Sequence, residues 1–370
     1  MHLTFDMNSI RSFILPGLVA FVFLACGPED FEKQSRYTLA VLDTLSIPFE
    51  GEIHAADFFG NRGVLYNYRS GTYLAFDSTG SVLASNSLPP QGTNGLFYVN
   101  GLKLLPNGEL FAHSIKGEIG LLDQNLRLRE KRLMPFPNGV VDLKRNVQIM
   151  EKWNDELLLF FPGRGNKSPY AKGYYRDNHL LEKLDLVTGE TVPFLRLSPE
   201  SQYQQDLHFE PSTPLISRAG DRLYLAFNKE PLIHRYNLAV DGAWEESVPL
   251  EAASFARIEG QTLPLGNDGS ILAEGEITGL FGLENGFAVS YFEGMYRDSL
   301  PPTTTLPGQV LKWYFPESGW SETLALPKEL LFLLNFEGLE APFYVLLDPG
   351  YFPDRTNEVK ILKLHVQPSL

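Results

Sequence analysis

The same arrangement of turns and short apolar strands recurs six times between Tyr37 and the carboxyl terminus, although the residues themselves do not repeat. Within a unit, a turn such as Pro106-Asn107-Gly108 lies between two apolar strands, and the last strand often ends near a Leu-Pro pair. Glycine and proline, 32 and 26 of the 370 residues, separate these strands. Four strands per unit, at a spacing of roughly 40 to 80 residues, are typical of β-propellers. The sequence therefore predicts an all-β protein, a six-bladed β-propeller.

The sixth unit lacks an outer strand, and the segment Tyr37 to Pro48 lacks a preceding partner. This segment ends in Leu45-Ser46-Ile47-Pro48, much as the outer strands of other units end. If it forms the fourth strand of the last blade, the ring closes and the sheet edge is covered. A pair of β-sandwiches is the alternative, but it leaves an orphan strand at each end. We therefore predict a single propeller domain over residues 37–370, closed by its amino-terminal strand.

The amino terminus has the features of an export signal. Its apolar run from Phe13 to Ala25 follows Arg11 and is shorter than the roughly 20 residues that span a bilayer, so it matches the apolar region of a secretory signal. The run ends at Cys26, the only cysteine, in a string FLACG that resembles the bacterial lipobox. We predict a lipoprotein signal peptide over residues 1–25, a covalent lipid on Cys26 and a tether over residues 26–36. The alternative is a buried cysteine beside an ordinary signal peptide.

The charge balance limits the partners. Acidic residues outnumber basic ones by 45 to 31, which gives a formal net charge of −14. A surface of this sign repels phosphates, so sequence-independent binding to nucleic acid is excluded. The expected partners are an envelope protein or an anionic small molecule or glycan, with the membrane contacted through the lipid anchor. No cofactor other than that lipid is predicted.

The lipobox, the six degenerate blades and the amino-terminal closing strand together resemble the Bacteroidetes lipoproteins of domain-of-unknown-function family 4221, in the TolB-like group of six-bladed propellers. The resemblance implies the architecture and a location in the cell envelope, on the outer membrane and either periplasmic or surface-exposed. It implies no catalytic residue. Glu29, Asp30 and Glu32 resemble the acidic surface-export signal of such lipoproteins, or simply keep the tether solvated.

One face of the predicted propeller carries the long connections. Strands A to D of a blade run outward from the channel, so the B–C and D–A connections share one face and the A–B and C–D connections share the other. The sequence predicts long B–C connections in blades three, five and six and long D–A connections before blades four and five, whereas the A–B connections of blades two to five are short turns. Because binding usually resides in long ordered loops on a rigid scaffold, we expect this loop-rich face to bind a ligand or partner protein.

Two insertions on this face share a Gly-x-Tyr-Arg-Asp string. Such a string offers an aromatic face, a planar cation and a carboxylate to a ligand or partner, or it pins each loop to its own blade. The candidate residues are Tyr175, Arg176, Asp177, Tyr296, Arg297 and Asp298.

Basic residues also follow the B strands of the first four blades. They are predicted to form a cationic collar around the channel mouth, which would attract anionic ligands; the alternative is that they point outward to water. The members of this collar are Arg69, Lys116, Arg164 and Lys229, together with Arg176 and Arg297 of the two insertions.

A hydrolase or lyase that uses the channel is the alternative function, and a purely structural envelope subunit is a third. Six-bladed lactonases bind calcium at the channel through Glu, Asn and Asp side chains. Four residues near the beginnings of inner strands imitate this set: Glu276, Asn100, Asp142 and Glu340. No motif supports them, and no nucleophile elbow or EF-hand loop is present. Three histidines on the loop-rich face lack zinc spacing and are expected to be structural: His54, His179 and His208.

Overall fold

The computed structural model describes residues 36–136, 145–165, 168–263, 270–297, 308–351 and 357–369. The signal segment, Cys26, Asp142 and Asp298 lie outside these ranges, so the predictions made for them are not addressed by the structure. No helix of the described residues has the length and apolarity to cross a bilayer.

Almost all regular structure is β-strand. The strands are β1 (Tyr37–Pro48), β2 (Ala55–Phe59), β3 (Arg62–Asn67), β4 (Thr72–Asp77), β5 (Val82–Ser87), β6 (Val99–Leu104), β7 (Leu110–Ser114), β8 (Glu118–Leu122), β9 (Leu128–Leu133), β10 (Met150–Trp153), β11 (Glu156–Phe160), β12 (His179–Asp185), β13 (Thr191–Arg196), β14 (Pro214–Ala219), β15 (Arg222–Phe227), β16 (Leu232–Asn237), β17 (Ala243–Pro249), β18 (Ile271–Ala273), β19 (Glu276–Leu283), β20 (Gly286–Phe292), β21 (Met295–Tyr296), β22 (Val310–Phe315), β23 (Gly319–Trp320), β24 (Leu324–Ala325), β25 (Leu330–Leu333), β26 (Phe343–Leu347) and β27 (Glu358–Pro368). One helical turn, α1 (Tyr174–Asp177), and short 3-10 segments at Pro162–Gly165, Gln202–Gln204, Leu238–Val240 and Pro349–Tyr351 lie in the connections.

These strands form six antiparallel blades, which confirms the predicted propeller. Blades one to four are the meanders β2–β5, β6–β9, β10–β13 and β14–β17. Blade five has the order β19-β20-β22-β23, with β24 also paired to β22, and β18 and β21 form a separate small ribbon. Blade six has the order β25-β26-β27-β1.

The amino-terminal strand closes the ring as predicted. β1 pairs antiparallel with β27 from Tyr37 opposite Pro368 to Pro48 opposite Glu358, with one irregularity between Val41 and Asp43. Its carboxyl-terminal end is buried at the seam between blades six and one, its middle, residues 41–44, is exposed, and Tyr37 and Leu39 are half-buried against the cluster shared by blades five and six. The first and last strands of the propeller are therefore hydrogen-bonded to each other in one sheet.

Middle strands read as continuous apolar runs because each is covered on both faces by neighbouring blades. All five residues of β26, Phe343–Leu347, are buried. Aromatic rings bridge adjacent blades: Phe58 of blade one stacks on Tyr344 of blade six, with ring centroids 3.9 Å apart. The core thus consists of seams between blades, and these seams hold the inner strands in a ring around the channel.

The loop asymmetry is also present, with two corrections. The connection before blade two, residues 88–98, is long as well and belongs to the loop-rich face, as do the described parts of the connection before blade three, residues 134–136 and 145–149. On the opposite face, which we call the turn face, the blade-six connection at residues 334–342 is not a short turn. β25 ends early because Asn335 continues the ladder with its side chain, and its Oδ1 accepts a hydrogen bond from the Tyr344 amide at 3.0 Å.

Candidate functional site

Residues 145–148, which precede the inner strand of blade three, cross the channel and are called the channel strap. The Asn146 amide donates to the His54 carbonyl at 3.0 Å, and its Oδ1 accepts from the Ala56 amide at 2.8 Å, so the strap contacts blade one. The Val147 amide donates to a blade-two carbonyl. Asn146 has a positive φ of 51°, which is uncommon outside glycine and best tolerated by asparagine.

Gln148 carries the strap to the opposite side of the channel. Its carbonyl accepts a hydrogen bond from the Ile216 amide of blade four at 2.7 Å, and its Oε1 accepts from the Leu280 amide of blade five at 2.9 Å. The side chain of Gln148 lines cavities on both sides of this crossing. The strap therefore divides the channel into two chambers.

The chamber on the loop-rich face, which we call the loop-side cavity, has a volume of about 360 Å³. Two hydrogen-bonded polar pairs line it: Asn228 Nδ2 donates to Glu276 Oε1 at 2.9 Å, and Thr278 Oγ1 donates to Gln309 Oε1 at 2.9 Å. Arg145, Asn146 and Gln148 of the strap and Thr213 also line it. The apolar part of the wall comes mainly from three inner strands: Val147, Pro214, Leu215, Ile277, Leu331, Phe332 and Leu333.

The turn-side cavity is smaller, about 140 Å³, and charged side chains line part of it. Lys103 Nζ donates to Glu151 Oε1 at 2.5 Å, and Asp57 Oδ2 accepts from the Leu104 amide at 2.6 Å. Burial raises the pKa of Asp57 to about 6, against the opposing effect of Lys103. These groups come from the inner strands of blades one to three. The centre of the turn face therefore holds charged side chains, although its connections are mostly short.

The four residues of the predicted cationic collar that follow the B strands already have partners. Arg164 binds Glu182 through Nε and Nη2 at 2.7 and 2.8 Å, and Lys229 forms an ion pair with Glu274. Arg69 lies 3.4 Å from Glu52, and the Lys116 ammonium lies 3.9 Å from the centre of the Phe97 ring. Arg164 and Lys229 therefore bind neighbouring carboxylates, an arrangement that neither the collar nor the alternative of residues pointing outward to water predicted.

The two Tyr-Arg-Asp strings adopt different structures. In blade three the string forms α1, Tyr175 is buried, and its hydroxyl donates to the Ser212 carbonyl at 2.9 Å. Arg176 binds Asp177 at 2.9 Å and reaches Asp206 at 3.5 Å, as a loop pin would. In blade five Tyr296 ends strand β21 and is exposed, and Arg297 is exposed beside it. Tyr175 is thus a core residue, and the shared string does not predict a shared site.

An aromatic cluster between blades one and two had no counterpart in the sequence analysis. The rings of Tyr68, Phe97 and Tyr98, which we call the aromatic shelf, are half-buried. The Tyr68 and Tyr98 centroids lie 4.9 Å apart, and both rings cover His54, at 5.0 and 4.5 Å. The only sequence signal was the concentration of aromatic residues at the end of one B strand and the start of the next inner strand.

The described residues among the four candidate calcium ligands do not lie together. Asn100 is buried, and its Oδ1 lies 3.0 Å from His113 Nδ1, while Glu340 is exposed in the blade-six connection on the turn face. Glu276 lines the loop-side cavity. Among the described residues no three His, Cys, Asp or Glu side chains lie together as metal ligands would.

The remaining histidines differ in environment. Burial, with a smaller effect of Arg145, lowers the pKa of His54 to about 4, and burial alone lowers that of His113 to about 4. The ring of His208 is bonded to the Tyr170 carbonyl, with Nδ1 3.0 Å from that oxygen. His179 stays partly accessible, and burial lowers its pKa.

The sequence matches no family model, and it matches no curated protein. Among solved structures, the chain is similar to a member of domain-of-unknown-function family 4221 from Bacteroides vulgatus, with a TM-score of 0.62 and 12% identity over 91% of this chain and 100% of that one. It is also similar to a protein of Bacteroides fragilis named as a candidate exported protein, with a TM-score of 0.55 and 12% identity over 90% of this chain and 96% of that one. The resemblance to this family is therefore confirmed at the level of the fold.

Proposed function

We propose that the chain is an exported lipoprotein of the cell envelope whose propeller binds a small polar ligand in the loop-side cavity. Export is supported by the Phe13 to Ala25 signal pattern and by the name of the Bacteroides fragilis protein of similar fold. The lipobox supports attachment through Cys26. Because several acyl chains anchor more firmly than one, such a protein stays on its membrane while the propeller projects from it.

The loop-side cavity is the observation that carries the binding proposal. Its volume of about 360 Å³ lies within the range of small-molecule sites, about 300 to 1,000 Å³. An apolar wall with a few convergent polar groups is typical of such sites, because the wall supplies affinity and the polar groups set the orientation. Here the polar groups are amides, a hydroxyl and one carboxylate, with Arg145 at the strap. This set suits a ligand with several hydroxyl or amide groups and one anionic group.

Filling the cavity tests this proposal. Leu331 lines it and is half-buried, so Leu331→Trp should occupy the space without breaking the fold. Leu272→Trp is the control, because that leucine is 45% exposed in β18 and does not line the cavity. Soluble protein beginning after Cys26 is screened by thermal shift against neutral sugars, uronates, amino acids and dicarboxylates, and binders are measured by calorimetry.

A ligand that loses affinity in Leu331→Trp and keeps it in Leu272→Trp supports the proposal. A ligand that binds both variants alike places binding outside the loop-side cavity and contradicts it. The calcium-dependent form of the alternative hydrolase or lyase lacks an assembled ligand set among the described residues, because Asn100, Glu276 and Glu340 lie apart.

A further inference from the structure

Two energetically unfavourable features occur together at the aromatic shelf. Tyr98 has a φ of 46°, and a non-glycine residue in this region costs on the order of 1–3 kcal/mol. Beneath it, His54 is 1% exposed, and neither ring nitrogen has a hydrogen-bond partner within the part of the chain that the structure describes. A buried polar group without a partner is also unfavourable. Residual strain of this kind concentrates at functional sites, where it is retained for a reason other than stability.

The shelf is continuous with the loop-side cavity through a chain of charged contacts. Arg145 lines the cavity and forms an ion pair with Glu52, and Glu52 also lies 3.4 Å from Arg69. The Arg69 guanidinium lies 5.8 Å from the centre of the Tyr68 ring. The path from the cavity across blades one and two is thus lined first by cations and then by aromatic faces.

The charge along this path is positive, although the whole chain is strongly acidic. Arg69 and Arg145 share the single carboxylate of Glu52. At the far end Lys116 lies over Phe97, and within the described residues it has no ion pair with a carboxylate. Beside Phe97, Glu118 accepts a hydrogen bond from the Phe97 amide and pairs with Lys131. Among the described residues four cations therefore face two carboxylates here, and a local positive field attracts anionic groups on a ligand.

We infer that the aromatic shelf and the loop-side cavity form one extended site for an oligosaccharide that carries carboxylate groups. The inference rests on the proposed function, because the cavity holds the end of the chain and the shelf holds the following sugars. The flat faces of sugar rings are lined by C–H groups and pack on aromatic side chains, which offer large apolar faces with a polar edge. Arg69 and Lys116 would pair with the carboxylates, and the amide and hydroxyl groups of the cavity with the terminal hydroxyls.

A nucleic acid would also stack on aromatic rings and pair with cations, but it carries a charge on every residue. The net charge of −14 opposes such a ligand, since most of the surface repels it. A sugar chain with spaced carboxylates requires attraction only along the shelf. The sugar chain is therefore the ligand that the charge distribution favours.

The test uses Tyr98→Asn, because asparagine accepts a positive φ and removes the ring. Tyr170→Asn is the matched control; Tyr170 is a 59% exposed tyrosine of the blade-three connection on the same face. The probes are hexasaccharides of galacturonate and of mannuronate, with maltohexaose as the neutral comparison. Soluble protein should bind an acidic hexasaccharide more tightly than the neutral one. Tyr98→Asn should weaken that binding about tenfold or more, as for a central aromatic anchor, at unchanged or higher thermal stability.

The outcomes separate this inference from the proposed function. If Leu331→Trp abolishes hexasaccharide binding and Tyr98→Asn leaves it unchanged, the shelf does not bind the sugar chain. The inference is then overturned and the cavity proposal stands. If Tyr98→Asn weakens binding and Leu331→Trp does not, the shelf binds the sugar chain without the cavity, so both the cavity proposal and the single extended site are overturned. If neither acidic hexasaccharide binds, or if single-stranded DNA binds more tightly than both, the inference is overturned. A Tyr98→Asn protein that loses stability together with binding assigns the ring to the core and also overturns it.

Discussion

Leu45→Ala should destabilise the propeller far more than Leu42→Ala, although both remove the same side chain from the same strand. Leu45 is 2% exposed and packs in the seam between blades six and one, whereas Leu42 is 54% exposed at the irregularity of β1. Truncating a buried leucine costs about 2–5 kcal/mol, and an exposed one about 0.5 kcal/mol or less. The free energy of unfolding, measured in guanidinium, should therefore fall by several-fold more for Leu45→Ala.

Equal destabilisation by the two substitutions would refute the placement of β1 in blade six. A pair of truncations provides an independent check, because removing residues 27–48 leaves the edge of β27 unpaired, whereas removing residues 27–35 keeps β1. The longer truncation should aggregate on size-exclusion chromatography, as an uncovered edge predicts. A longer truncation that remains monomeric with an unchanged melting temperature would show that the ring does not depend on this strand.

Three further results are expected. Cys26→Ser should move the protein from the membrane fraction to the soluble fraction and abolish labelling by a fatty acid; full membrane retention would contradict lipid attachment at this residue. Arg164→Met should destabilise by about 1–3 kcal/mol, because it removes the charged donor of the buried Glu182 carboxylate, although the arginine itself is one third exposed, and adding Glu182→Gln should recover part of the loss in a double-mutant cycle. Because burial lowers the pKa of His113 to about 4, the unfolded chain binds this proton first, so stability falls as pH drops from about 6.5 to 4. The fall in the free energy of unfolding across that range should become shallower in His113→Gln but should not vanish, because His54, whose pKa is also lowered to about 4, still contributes; an unaltered pH profile would remove His113 as a cause.

Much of the candidate site was beyond sequence reasoning, because its residues act through contacts that no local pattern encodes. The repeated Tyr-Arg-Asp string indicated one motif, yet Tyr175 is a core residue in a helical turn and Tyr296 is an exposed residue of a strand. The surroundings differ, because the first string follows Gly173 in the left-handed region and begins a helical turn, whereas Tyr296 pairs with Ile271 in a ribbon. Likewise, Arg164 was expected at the channel mouth for a ligand, but it neutralises the buried Glu182.

The sequence by itself determined the number of blades, the closing strand and the face with long connections. These features follow from strand periodicity and turn residues, which act over a few neighbours, and from an orphan strand at each end. Only the tertiary structure decided what lies in the channel. The strap joins Asn146 to blade one and Gln148 to blade five, and the aromatic shelf joins Tyr68 and Tyr98 across two blades. Ring closure brings together residues that are distant along the chain, so their meeting depends on how the blades pack rather than on any local signal.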